Sequence, residues 1–200
     1  MQSLPKAAQR MVWLGIDLGD ARVGTALSDP ELTFAHPAGN VQSYGDSFNA
    51  IEDVLNIIED NSVSRVVIGL PLQLDGTEGK SAKKARRWGT NLVKRMKSLF
   101  DYGDWSLDFI PEVVFKDERL TTVTAHKQLL DADFSTKKHR PMVDQQSAVL
   151  ILQSAIDDYK NVCKNIESNS QIAIKDLSNS QNNSQNNSQI DCIRKEAFNE

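Results

Sequence analysis

Residues 11–29, MVWLGIDLGDARVGTALSD, constrain the fold more than any other stretch of this chain. Two apolar, β-branched segments flank one glycine-containing turn, LGD, and that pattern is a β-hairpin. Alternation puts Val12, Leu14, Ile16 and Leu18 on one face of the first strand and Trp13, Gly15 and Asp17 on the other. A carboxylate therefore closes an otherwise apolar strand.

A third extended segment is expected around Leu32 to Val41, although Pro37 and Gly39 interrupt it. Next, Ile51, Val54, Leu55, Ile57 and Ile58 recur at helical spacing, and SRVVIGLPL is a short buried strand stopped by Pro71. After the turn DGTEG, a helix is expected from about Lys80 to Phe100. At about 100° per residue, Ala82, Ala85, Leu92, Val93, Met96, Leu99 and Phe100 gather on one side of it. WSLDFIPEVVFKDERL holds a strand ending near Lys116, TTVTAHKQLLDAD reads as a short helix, FSTKKHRP as a basic loop, and Asp144 to Tyr159 as a closing helix. The order ββ(β)αβαβαα joins an antiparallel start to strand–helix alternation. It predicts an α/β domain with a mixed sheet flanked by helices, the element order of an RNase H-like fold.

The 200 residues suit one domain of about 150 residues with an appendage. Beyond Tyr159 periodicity is lost, and SNSQNNSQNNSQ cannot bury enough apolar surface to order itself. Residues 1–161 are therefore expected to form the domain, and 162–200 a disordered low-complexity tail. Cys163 and Cys192 both fall late, which excludes a disulfide framework and suits a reducing compartment. No stretch approaches 18 apolar residues, and Gly15 and Asp17 break the first apolar run. A soluble cytoplasmic protein with no membrane partner is expected.

Three acidic residues carry the chemistry. Asp17 ends a strand, Glu118 follows another, and Asp144 opens a helix on whose apolar stripe it falls, with Ala148, Ile151, Leu152, Ala155 and Tyr159. Carboxylates on separate rigid elements can hold Mg²⁺, or Mn²⁺ in its place, through hard oxygen ligands. Two such cations activate water and stabilise a leaving oxygen in phosphodiester hydrolysis. Each residue also has a plainer role: Asp17 as a turn-bonding aspartate, Asp144 as a helix cap, Glu118 as part of a solvated KDER cluster in which Asp117 competes for the same role.

The net charge of −4 is unlike a nucleic-acid binder, but charge distribution matters more than the sum. Residues 80–97 hold Lys80, Lys83, Lys84, Arg86, Arg87, Lys94, Arg95 and Lys97 and no acid. Lys137, Lys138 and Arg140 form a second cluster near Asp144, and Arg22 in the hairpin either meets phosphate or pairs with Asp20. His36, His126 and His139 lack metal-ligand spacing, and DGTEGK has the wrong spacing for a Walker loop.

At GIDLGDARVGTALSD, VVIGLPLQLDGTEGKSA, DERLTTVTA and VDQQSAVLILQSAI, in that order, the chain resembles the YqgF/RuvX family. Its members are described as pre-16S rRNA nucleases and as Holliday junction resolvase-like proteins. The resemblance covers about residues 11–160. It implies an RNase H-like fold, a metal-dependent nuclease of pre-rRNA or structured DNA, and an acidic triad on Asp17, Glu118 and Asp144, favouring Glu118 over Asp117. Gly19, Gly24, Gly69, Pro71, Gly76, Arg119 and Thr122 also match, as turn-forming and site-shaping positions, and Arg119 joins the expected nucleic-acid contacts. The polar tail departs from the family's compact length. Competing expectations are a junction resolvase, which needs a homodimer rather than a monomer, and a non-catalytic nucleic-acid-binding module. DLGDARVG also resembles the phosphate hairpin of actin-like ATPases, but the length argues against that fold, which needs two such domains and a second phosphate loop.

Overall fold

A computed structural model describes residues 11–119 and 145–166. The chain divides into two compact units, Met1–Asp157 and Asp158–Glu200. In the second unit the described residues, 158–166, are helical. The expected helix TTVTAHKQLLDAD, the loop FSTKKHRP and the polar repeat lie outside the described residues.

The first unit contains β1 (Val12–Leu18), β2 (Arg22–Ser28), β3 (Ala35–Gln42), a short 3₁₀ turn (Ser47–Ala50), α1 (Ile51–Asp60), β4 (Val63–Leu70), α2 (Lys80–Tyr102) and β5 (Glu112–Asp117). Helix α3 covers residues 145–157 of this unit. The five strands form one sheet in the order β3-β2-β1-β4-β5. β1 and β2, and β2 and β3, pair antiparallel, while β1 and β4, and β4 and β5, pair parallel. This is the expected mixed, RNase H-like sheet. β3 begins three residues later than its sequence suggests, because Leu32 belongs to the preceding turn with φ 54°. Asp29 fixes that turn by accepting hydrogen bonds from Thr33 N at 2.6 Å and Phe34 N at 3.0 Å. Pro37 is tolerated because β3 is an edge strand, where a missing N–H breaks no central ladder.

β1 sits mid-sheet, and its four residues Trp13 to Ile16 are all buried, as expected for a strand covered on both faces. One face packs Leu14 and Ile16 with Val66, Ile68 and Leu70 against α1 and α2. Ala82, Ala85, Leu92 and Met96 face that core, as their spacing predicts. Trp88 joins them, fully buried, with its Nε1 donating to Ser47 O at 2.7 Å. Its own polar atom is thereby satisfied, and α2 is tied to the 3₁₀ turn.

The other face carries α3. Its buried residues are Ser147, Ala148, Ile151, Leu152 and Ile156. Ile156 thus replaces the expected Ala155 at the end of the stripe, one position along. The helix backbone comes so near that a Cβ on Gly15 would lie 2.7 Å from Leu152 Cβ and 2.8 Å from Ala148 O. No helix among the described residues is long and apolar enough to cross a membrane.

Because Ala148 O is backbone and cannot swing away, Gly15→Ala should destabilise the protein by about 1–3 kcal/mol. Urea unfolding should show a lower midpoint with an unchanged slope. A midpoint equal to wild type would mean that α3 does not sit on β1 this closely.

Candidate functional site

The C-terminal ends of β1, β4 and β5 lie side by side. Ile16 pairs with Ile68, Gly69 with Lys116 and Leu70 with Asp117, which sets Asp17, Gly69 and Glu118 along one edge of the sheet. Asp17 is half-buried and, by alternation, on the α3 face with Gly15. Glu118 follows β5, and its N–H reaches Leu70 O at 3.3 Å. Its carboxylate turns back over β4 and occupies the space where a side chain on Gly69 would be, with only 8% of the residue exposed.

Asp17 and Glu118 line one cleft of about 260 Å³ with Gly19, Asp20, Gly69, Pro71, Ser81, Lys84 and Ala85 among its walls. Asp117 does not line it. Instead Asp117 forms a forked ion pair with Arg119, with Nε to Oδ1 at 3.2 Å and Nη2 to Oδ2 at 2.8 Å. The hydrogen bond from Arg119 holds the Asp117 carboxyl below its usual range and raises the guanidinium in turn. Gly76, at φ +89°, lets the β4–α2 loop pass Arg119, since a Cβ there would stand 2.9 Å from Nη1.

Helix α3 also borders this edge. Ile151 Cδ1 would meet a Cβ on Gly69 at 2.7 Å. Farther along, Gln153 Oε1 accepts from Ala35 N at 2.8 Å, and Ala35 pairs with Ser28, whose Oγ accepts from Trp13 N at 2.9 Å. The helix therefore runs antiparallel to β1 and starts toward the end that carries Asp17. Asp144, Thr122, Lys137, Lys138 and Arg140 lie outside the described residues.

The remaining expected contacts are spread out. Arg22 begins β2, half-buried, and does not line the cleft. Lys80, Lys83 and Arg87 are exposed on α2, Arg87 lying over the Phe48 ring at 4.8 Å. Arg86 bonds Glu78, and Arg95 bonds Glu52 at 2.7 Å. The helix has no acids of its own in this stretch, yet neighbouring elements supply them, so its charge is less naked than the sequence alone implies. Lys84 faces the cleft instead, and its Nζ meets Asp20 Oδ1 at 2.7 Å, a pair that holds the Asp20 carboxyl below its usual range. Sequence reasoning offered Arg22 as the partner of Asp20. Ser81 in the cleft was missed, although Ser81, Lys84 and Ala85 share the i, i+3, i+4 spacing of one helix face.

Asp17 and Glu118 offer only oxygen donors, and the side-chain-free Gly69 leaves room for the Glu118 carboxylate, which fits a hard divalent cation. Among the described residues no group of three or more His, Cys, Asp or Glu forms a complete metal cluster.

The family model described as RuvX, Holliday junction resolvase, matches residues 11–158. A protein of Bifidobacterium adolescentis named "Putative pre-16S rRNA nuclease" is 65% identical over 147 residues, covering 74% of this chain and 97% of the relative. One of the same name from Rhodospirillum centenum is 34% identical over 155 residues, covering 78% and 76%. Among solved structures, T. thermophilus RuvC in complex with Holliday junction substrate is 15% identical, with a TM-score of 0.46, covering 75% of this chain and 96% of that one.

Two measurements check the geometry. Gly69→Ala should destabilise the fold, and adding Glu118→Ala should recover part of that loss, because the shortened side chain vacates the contested space. Strict additivity of the two in urea unfolding would place Glu118 elsewhere. For Asp117, folding lowers the pKa, so its ionisation stabilises the fold fully above the unfolded value of about 3.9. That contribution is lost as pH falls through the lowered folded value. The stability gap between wild type and Asp117→Asn should hold constant at neutral pH and shrink below about pH 4; a gap that widens on acidification would contradict the pair.

Proposed function

Because the chain belongs to the RuvX family, we propose that it is a cytoplasmic, Mg²⁺-dependent nuclease that processes the 5′ end of precursor 16S rRNA. The observation that carries this reading is the shared cleft of Asp17 and Glu118 at the ends of β1 and β5, on either side of β4, where Gly69 makes room for the Glu118 carboxylate. The names of the curated relatives support the substrate.

Asp17, Glu118 and Asp144 hold the cations in this reading. Asp144 directly precedes α3, the helix that starts toward Asp17. When bound, Mg²⁺ held by these carboxylates would orient and polarise an attacking water and offset charge developing on the leaving oxygen. Asp17 is placed by the rigid centre of the sheet, and Glu118 by the main-chain bond to Leu70 and the gap at Gly69. Rigid placement matters because a loosely held ligand loses the geometry the reaction needs. Glu118 is nearly buried, so charge interactions at this spot are screened less than in open solvent. Arg22, Lys80, Lys83, Lys84, Arg87, Arg119, Lys137, Lys138 and Arg140 hold the strand's phosphates, with affinity that falls as salt rises.

A second reading, resolution of four-way DNA junctions, draws on the description of the matching family. It requires a symmetric dimer that offers two sites to two strands.

Purified protein with Mg²⁺ should shorten precursor 16S rRNA at its 5′ end, and EDTA should stop it. Asp17→Asn, Glu118→Gln and Asp144→Asn should each lower kcat/KM at least about 100-fold, ~2.7 kcal/mol of barrier. Variants as active as wild type would remove the metal-ligand roles, and preferential cleavage of a four-way junction would favour the second reading.

A further inference from the structure

We propose that Lys84 binds a backbone phosphate of the RNA strand in the cleft, and that Asp20 occupies the same ammonium until the phosphate displaces it. This rests on the nuclease reading above and adds to it an ion-pair exchange at the mouth of the site.

Position singles out Lys84. It is the one basic residue lining the cleft among the described residues, sharing it with Asp17 and Glu118. Three arginines of α2 are engaged elsewhere: Arg86 with Glu78 and over the Phe115 ring at 5.0 Å, Arg87 over Phe48, Arg95 with Glu52. A phosphodiester entering a cleft lined by the carboxylates of Asp17, Asp20 and Glu118 meets repulsion, and a cation on the same wall offsets it. Lysine suits this task as a compact charge with three donors on a flexible stem.

The pair is asymmetric. Lys84 has 28% of its side chain exposed, whereas Asp20 has 88%. Such an exposed partner is weakly held, since water and salt replace its contact at little cost. The turn that carries Asp20 is nonetheless fixed: Gly19 N–H bonds Arg22 O at 3.0 Å, and Ser43 Oγ donates to Asp20 O at 3.1 Å. Release of Lys84 therefore needs only a rotation of the Asp20 side chain into solvent, with no backbone movement. The lysine stem stays packed, and its head remains at the cleft to meet the phosphate. Charge is conserved at the ammonium, because one anion leaves as another arrives.

The test is binding of a fluorescein-labelled single-stranded RNA oligonucleotide, read by anisotropy in EDTA, with salt varied between about 50 and 200 mM. Lys84→Met should weaken binding roughly 3- to 10-fold and flatten the salt slope by about 0.7, the value of one lost phosphate contact on a single strand. Lys84→Arg should restore both. Asp20→Asn should tighten binding in the wild-type background and leave it unchanged beside Lys84→Met. Equal tightening in both backgrounds would reduce Asp20 to a general charge effect and overturn the exchange, as would an unaltered salt slope in Lys84→Met. Wild-type protein that binds in this way yet cleaves neither precursor rRNA nor a four-way junction in Mg²⁺ would overturn the nuclease reading while sparing the exchange.

Discussion

Everything at the candidate site depends on how near α3 lies to the sheet, and two residues without side chains set that distance. Gly15 in β1 admits Ala148 O and Leu152 Cβ, and Gly69 in β4 admits Ile151 together with the Glu118 carboxylate. Close packing of this kind leaves little freedom, because interiors are dense and a single added methyl displaces its neighbours. The helix is thereby held antiparallel to β1, with its start directed toward Asp17. A larger residue at either glycine would lift the helix and the site with it.

Charge is sorted at the same edge. Four carboxylates crowd the strand ends: Asp17, Asp20, Asp117 and Glu118. Arg119 draws Asp117 aside through a forked pair, and Lys84 draws Asp20 to the mouth. Asp17 and Glu118 line the cleft. Like charges brought together in a partly buried space disfavour one another, and a cation is the usual remedy. The arrangement thus separates Asp117 and Asp20, each paired with a local cation, from Asp17 and Glu118, the two carboxylates that the proposed chemistry would use.

Much of this was legible in the residues. The hairpin, α1, β4, α2 and β5 follow from apolar spacing of period 2 or 3.6, which is local and survives without knowledge of the fold. The face of β1 that carries Asp17 follows from alternation alone. The start of β3 was less legible, because side-chain bonds from Asp29 shape the turn before it. Trp88 was overlooked because an indole reads equally well as surface or core until its Nε1 finds Ser47 O.

By itself, the sequence determined the elements, their order and the identity of the acidic candidates, since periodicity and turn chemistry act between residues a few positions apart. Tertiary structure alone decided that Asp117 is drawn aside by Arg119 while Glu118 turns into the cleft, a choice the residues by themselves left open, that Asp20 belongs to Lys84, and that Arg86 and Arg95 of α2 are answered by acids on other elements. These are contacts between residues as far as 64 positions apart, as for Lys84 and Asp20. Strand register and the gap above Gly69 bring such groups together, and no local pattern encodes a distance of that kind.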